Sequence, residues 1–300
     1  MSDTSSRSGF VALIGAPNAG KSTLLNALVG EKVSIVTHKV QTTRSNVRGI
    51  RVHDGAQIIF VDTPGIFAPK RTLDRAMVHA AWTGAEDADL VALLVDVERG
   101  IGDDTRRILK RLRQIERPRI ALLNKIDRIA REKLLALAGD LNELCEFQAT
   151  FMISALHGDG LDDVLAWLAH SLPEGPFLYP AEDRSDQNPR LLAAEVTREK
   201  VFLRLHQELP YQCHVETEEW EERRDGSLRI GQTIYVARHA HKKIVLGRQG
   251  ATVKQIGRQA REELGRLLGR KIHLFLFVKV RENWVEDPER YREMGLEYPS

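Results

Sequence analysis

Three hundred residues with a formal net charge of +2 and 42% hydrophobic side chains can bury ordinary cores, and the length favours two domains over one. No apolar run approaches the roughly 18 residues a membrane span requires, and the polar opening Met1-Ser2-Asp3-Thr4-Ser5-Ser6-Arg7-Ser8 does not resemble a signal peptide. Cys145 and Cys213 are the only cysteines and lie far apart, so neither a disulfide framework nor a metal spacing is present, and a cytoplasmic chain with reduced thiols is expected. The charge is uneven. Residues 1–190 carry 24 Lys/Arg against 25 Asp/Glu, whereas residues 238–281 carry 12 against Glu262 and Glu263 alone, a net of +10. A short acidic stretch (Glu216, Glu218, Glu219, Glu221, Glu222, Asp225) stands just before that block. Such a basic block either coats a solvated helix face or meets a polyanion.

From residue 10 to about 170, short apolar runs alternate with helical patterns, which predicts an α/β fold with a mostly parallel, doubly wound sheet. Buried strands are expected from Phe10 to Gly15, Gln57 to Asp62, Leu90 to Asp96, Arg119 to Asn124 and Thr150 to Ser154. The alternating run from Val47 to His53 meets its neighbour across Asp54-Gly55, a hairpin signal that makes one edge antiparallel. Helices are expected between them, among others from Thr105 to Ile115, Ala130 to Cys145 and Leu161 to Leu172. Pro173, Gly175, Pro176, Pro180 and Pro189 then punctuate a polar stretch. The expected division is therefore a first domain over 1–175, a linker over 176–190 and a second, α+β domain over 191–300. The second should hold a helix from Leu191 to Glu208, strands from His214 to Glu222 and Leu228 to Arg238, a short helical segment at Gly247 to Gly250, a helix from Thr252 to Leu268 and a strand from Lys271 to Val280. His239 and His241 are expected as exposed strand-end residues rather than metal ligands, and Trp82, Trp167 and Trp220 as packing residues.

Gly15-Ala16-Pro17-Asn18-Ala19-Gly20-Lys21-Ser22 reads G-x-x-x-x-G-K-S between an apolar strand and a helix that opens at Ser22-Thr23, the context of a nucleotide-phosphate loop. Glycines let successive N–H groups turn inward as an anion nest, and the helix N-terminus adds partial positive charge. Lys21 would reach the β- and γ-phosphates and Ser22 would ligate Mg2+. Asp62-Thr63-Pro64-Gly65 ends a strand where open α/β sheets bind ligands; Asp62 can hold the metal through water, and the Gly65 N–H can meet the γ-phosphate. In Asn124-Lys125-Ile126-Asp127, Asp127 can accept two hydrogen bonds from guanine that adenine leaves unmade, while Lys125 lies over the base and Asn124 braces the loops. Ser154-Ala155 ends the next strand and would offer a backbone N–H to the guanine carbonyl. Between the first helix and the hairpin, Gln41-Thr42-Thr43-Arg44 offers a threonine that ligates Mg2+ only when a γ-phosphate is present, making the segment a switch. Thr43 is the first choice and Thr42 the second. Ile66 follows Gly65 where many small GTPases carry a water-orienting glutamine, so unaided hydrolysis should be slow.

Ile244-Val245-Leu246-Gly247-Arg248-Gln249-Gly250-Ala251 places G-x-x-G at the centre of the basic block, before a helix, as in a type II KH domain. The glycines admit the phosphates and sugars of single-stranded nucleic acid, with Lys242, Lys243, Arg248, Gln249 and Lys254 around them. These motifs in this order, with Arg198-Glu199-Lys200, Glu208-Leu209-Pro210-Tyr211 and Lys279-Val280-Arg281 before Trp284, resemble the Era family of GTPases from about residue 9 to 297. The resemblance implies GTP/GDP and Mg2+ as ligands, and binding near the 3′ end of the 16S ribosomal RNA of the small (30S) subunit, whose assembly it assists. It also implies a cytoplasmic monomer with peripheral association at the inner face of the membrane. Asn18 resembles the asparagine of potassium-activated GTPases, which implies K+ at that position. The alternative from another class is a membrane- or protein-docking regulatory GTPase whose KH-like domain is only a scaffold.

Overall fold

The computed structural model describes residues 6–282, 284 and 287–299. The chain divides into two compact units: one takes in the chain up to Ser34, Thr43–Asp186 and the residues from Tyr291 on, the other Ile35–Thr42 and Gln187–Arg290.

The first unit is built on a six-stranded sheet of β1 (Arg7–Gly15), β2 (Val47–His53), β3 (Ala56–Asp62), β4 (Leu90–Asp96), β5 (Arg119–Asn124) and β6 (Ala149–Ile153), in spatial order β2-β3-β1-β4-β5-β6. All neighbours are parallel except β2 and β3, which form an antiparallel hairpin. Its turn, Asp54-Gly55, has positive φ at both residues (47° and 76°), as a two-residue turn between right-twisted strands requires. β4 (LVALLVD) is buried along its whole length, because a central parallel strand is covered on both faces. Helices α1 (Lys21–Val29) and α5 (Leu161–Ser171) pack on one face; α2 (Thr72–Asp87), α3 (Asp103–Leu112) and α4 (Arg131–Leu144) pack on the other. In α5, Leu161, Val164, Leu165 and Leu168 recur at helical spacing into the first core; in α3, Thr105, Ile108, Leu109 and Leu112 do the same on the opposite face, the stripe an amphipathic helix presents to a sheet.

The stretch expected as a linker is structured up to Asp186. Buried Gln57 accepts the N–H groups of Leu178 (2.7 Å) and Tyr179 (3.0 Å) and donates to the Tyr179 carbonyl (2.7 Å). The Ile50 N–H donates to the Arg184 carbonyl oxygen. Proline keeps 176–186 out of regular structure, but not from satisfying and covering the β2 edge.

The second unit carries a mixed sheet, β7 (Cys213–Glu222), β8 (Leu228–Val236) and β9 (Ile272–Val280), with β7–β8 antiparallel and β8–β9 parallel. The parallel pair needs a crossover, supplied by α7 (His239–Leu246), the GxxG turn and α8 (Ala251–Leu267). Helix α6 (Pro189–Arg204) begins at Asn188, whose side chain caps the Arg190 N–H with proline at the first helical position, a favoured start. Ile256, Ala260 and Leu264 of α8 face α6 and the sheet across two linked cores. The strand expected to run to Arg238 stops at Val236, and His239 and His241 lie in the first turn of α7, not at a strand end. Trp82 is buried, while Trp167 and Trp220 pack half-buried against the cores.

Candidate nucleotide and nucleic-acid sites

The C-terminal ends of β1, β3, β5 and β6 converge, and the motif residues of the first unit stand on the loops that leave them. Gly15 closes β1 so tightly on β4 that a Cβ there would lie 2.6 Å from the Leu94 carbonyl oxygen; at Gly20, φ 102°, a Cβ would sit 2.3 Å from Asn124 Nδ2. Asn124 donates to the Ala19 carbonyl oxygen (2.8 Å) and accepts the Ala155 N–H (3.0 Å), joining the Ala16–Gly20 loop to the turn after β6. The Ala155 N–H is thus held by Asn124, and the Ser154 N–H by the Asp159 carbonyl oxygen. Asp127 is exposed; its carboxylate accepts from Ser154 Oγ (2.7 Å), which holds it below the usual carboxylate range. Lys125, at φ 72°, spans to the Asn18 carbonyl oxygen (2.9 Å).

At the other end of the loop, buried Lys21 donates to the carbonyl oxygens of Gly15 (3.1 Å) and Ala16 (3.2 Å). Burial pulls its pKa down to about 8, against the attraction of Asp62. Asp62 is fully buried, and its pKa is raised by burial against Lys21 and three hydroxyl groups. Its Oδ2 accepts from Ser22 Oγ (2.7 Å), Ser34 Oγ (2.9 Å) and Thr43 Oγ1 (3.2 Å), and Ser22 and Thr43 are themselves 2.9 Å apart. Asp62 Oδ1 is buried with no partner among the described residues. A carboxylate that gathers three hydroxyls on Oδ2 and leaves Oδ1 unsatisfied offers the oxygen donors that a hard divalent cation takes. Thr42 does not join this cluster: its hydroxyl pairs with Thr37 and donates to the Lys39 carbonyl oxygen. Thr63 Oγ1 donates to the Leu13 carbonyl oxygen, Pro64 follows, and Gly65 lies so close to Pro17 that a Cβ would be 3.0 Å from its Cα. Ile66 turns away into the second core, 1% exposed.

Two residues of this site have no motif to reveal them. Asp96, at the end of β4, pairs with Lys125 (2.6 Å) and accepts the Glu98 N–H (3.0 Å). Ser34 adds the third hydroxyl on Asp62. The only sequence signal for Asp96 was its place at a parallel strand's C-terminal end.

In the second unit Gly247 (φ 70°) and Gly250 (φ 77°) flank Arg248 and Gln249. A Cβ on Gly247 would lie 2.2 Å from Thr252 Oγ1, and Gly250 is the N-cap of α8. Lys243, Arg248, Gln249 and Lys254 are exposed and Lys242 half-buried. Elsewhere in the basic block, Arg258 pairs with Glu262, Arg270 with Glu222, Lys279 with Glu218 and Arg281 with Asp287. Among the described residues, the four cations around the GxxG turn make no ion pair. No helix among the described residues is long and apolar enough to cross a membrane.

These two sites define a P-loop GTPase joined to a nucleic-acid-binding module. A family model described as a 50S ribosome-binding GTPase matches residues 10–125, and a KH domain model matches residues 208–285. The chain is 64% identical over 292 residues to GTPase Era of Mesorhizobium japonicum, covering 97% of this chain and 94% of that protein, and 59% identical over 297 residues to GTPase Era of Brucella suis, covering 99% and 96%. It belongs to the Era GTPase family. Among solved structures, an Aquifex aeolicus Era variant bound to GDP·AlF4− superposes with a TM-score of 0.92 at 38% identity, covering 96% of this chain and 99% of that one. Era in complex with MgGDPNP and nucleotides 1506–1542 of 16S ribosomal RNA superposes equally well, covering 97% and 99%.

Proposed function

We propose that this GTPase is a GTP-gated switch that holds the 3′ region of 16S ribosomal RNA through the GxxG turn and assists assembly of the 30S subunit, as a cytoplasmic monomer. The observation that carries the reading is the presence, in one chain, of a hydroxyl–carboxylate cluster built for a metal-bound triphosphate and a concentration of unpaired cations around the GxxG turn. Gly15–Thr23 and Gly65 surround the phosphates, Asn124, Lys125, Asp127, Ser154 and Ala155 the base. Ser22, Thr43 and Asp62 would hold Mg2+, which when bound offsets charge developing on the β- and γ-phosphate oxygens. Asn18 is proposed to help hold K+; equal turnover in K+ and Na+ would remove that assignment.

A γ-phosphate would fix Thr43 against Asp62, and a ligand moves an equilibrium only as far as its affinities for the two states differ. The test is the affinity of a fluorescent single-stranded RNA with the sequence of that 3′ region, measured with GDP and with a non-hydrolysable GTP analogue. The expected result is tighter binding with the triphosphate; equal affinity removes the gate, and no affinity removes the RNA assignment. Lipid vesicles that sediment the chain while RNA does not bind would favour the membrane-docking alternative.

A further inference from the structure

Helix α1 carries Ser22 in its first turn and Asn26 one turn further on, so the two side chains share a face. The Asn26 amide is engaged three times by the chain that follows the helix. Its Oδ1 accepts the N–H groups of Val33 (2.9 Å) and Ser34 (2.9 Å), and its Nδ2 donates to the Ser34 carbonyl oxygen (2.8 Å). Two N–H groups on one oxygen fix which way round the amide lies. Ser34, 3% exposed, donates its hydroxyl to Asp62 Oδ2 (2.9 Å), the same oxygen that Ser22 Oγ meets (2.7 Å). The contacts close a ring that begins and ends on α1: Ser22 to Asp62, Asp62 to Ser34, Ser34 to Asn26. All four residues belong to the first unit. Asn26 lies beyond the Gly15–Ser22 motif and Ser34 in no motif at all, so neither was among the residues expected at the site.

We propose that Asn26 and Ser34 are positioning residues for the metal carboxylate: Asn26 seats Ser34, and the Ser34 hydroxyl holds Asp62 in the orientation that serves Mg2+. This rests on the metal-site reading of Asp62 given above. Ser22 and Thr43 are the hydroxyls assigned to the cation. Ser34 is not, and with both its N–H and its carbonyl oxygen held by Asn26 its hydroxyl stays with the carboxylate. A carboxylate turns about a single bond, and a donor fixed on Oδ2 sets where the unsatisfied Oδ1 stands. Groups that hydrogen-bond to a metal's ligands in this way orient them, and their loss typically weakens metal binding about 10–100-fold.

The test uses the full chain with Ser34→Ala, Asn26→Ala and the two combined. Affinity for a fluorescent GDP is measured in EDTA and across a Mg2+ titration. The expected result for each single variant is that about tenfold more Mg2+ is needed to reach the tight-binding state, with affinity in EDTA little changed. The double variant should lose no more than the worse single one, because both changes act through the same hydrogen bond to Asp62. Ser34→Ala removes one atom, and Asn26→Ala places a strong helix former in a helix; if Asn26→Ala unfolds, Ser34→Ala decides alone. An equal loss in EDTA and in Mg2+, no loss, or losses that add in the double variant would overturn the proposal. A parent chain whose GDP affinity ignores Mg2+ removes the metal-site reading and this proposal with it. A parent that responds to Mg2+, with variants that respond alike, removes the proposal only.

Discussion

Lys21 carries the most consequential single charge in the nucleotide site. Burial lowers its pKa to about 8, whereas polyphosphate around it would raise the value again. Nucleotide binding should therefore take up a proton above pH 8, and affinity should fall as pH rises through that window, by at most about tenfold per unit. Calorimetry in buffers of different ionisation enthalpy reads the proton directly; a pH-independent affinity from 7 to 9 would contradict this. Asp127 is already ionised and pointed by Ser154, so Asp127→Asn should shift preference from guanosine toward xanthosine nucleotides, read by competition binding. Asp96→Ala should leave Lys125 without its carboxylate partner and accelerate GDP dissociation by about tenfold, the effect of roughly 1.4 kcal/mol, measurable with a fluorescent GDP; Asp96→Glu should recover most of it. Lys21 and Asp127 were legible because each occupies a fixed place in a short motif. Asp96 was not, because its partner Lys125 is 29 residues away in sequence.

At the scale of elements, apolar periodicity located most strands and helices. β4, β5 and the β2–β3 hairpin stand where the sequence put them, since continuous burial and a D-G turn are local signals. The strand expected to reach Arg238, with His239 and His241 at its end, stops at Val236, and α7 begins at His239 because the parallel β8–β9 pair demands a crossover. In α8, Ile256 is fully buried between α6 and the sheet. Ile256→Ala should cost about 2–5 kcal/mol of the second unit's stability, seen as a lowered denaturant midpoint, with nucleotide affinity unchanged. A midpoint within error of the parent would show that the helix is not packed as described.

For the whole molecule, the distribution of charge matters more than its total. Within the basic block Arg258, Arg270, Lys279 and Arg281 pair with Glu262, Glu222, Glu218 and Asp287, while Lys242, Lys243, Arg248 and Lys254 around the GxxG turn make no ion pair among the described residues. If all four meet phosphates of a single strand, the logarithm of RNA affinity should fall against the logarithm of salt with a slope near −3, at ~0.7 per neutralised phosphate. A slope near zero would refute electrostatic capture at this turn. The sequence alone determined the nucleotide chemistry, the two-domain plan and the GxxG turn, because each motif is contiguous and its backbone shape follows from its own glycines, prolines and flanking apolar runs. Tertiary structure decided that Thr43 rather than Thr42 meets Asp62, that 176–186 straps the β2 edge, and which basic side chains stay unpaired. Those outcomes depend on partners far apart along the chain, and no local pattern encodes which of them will meet.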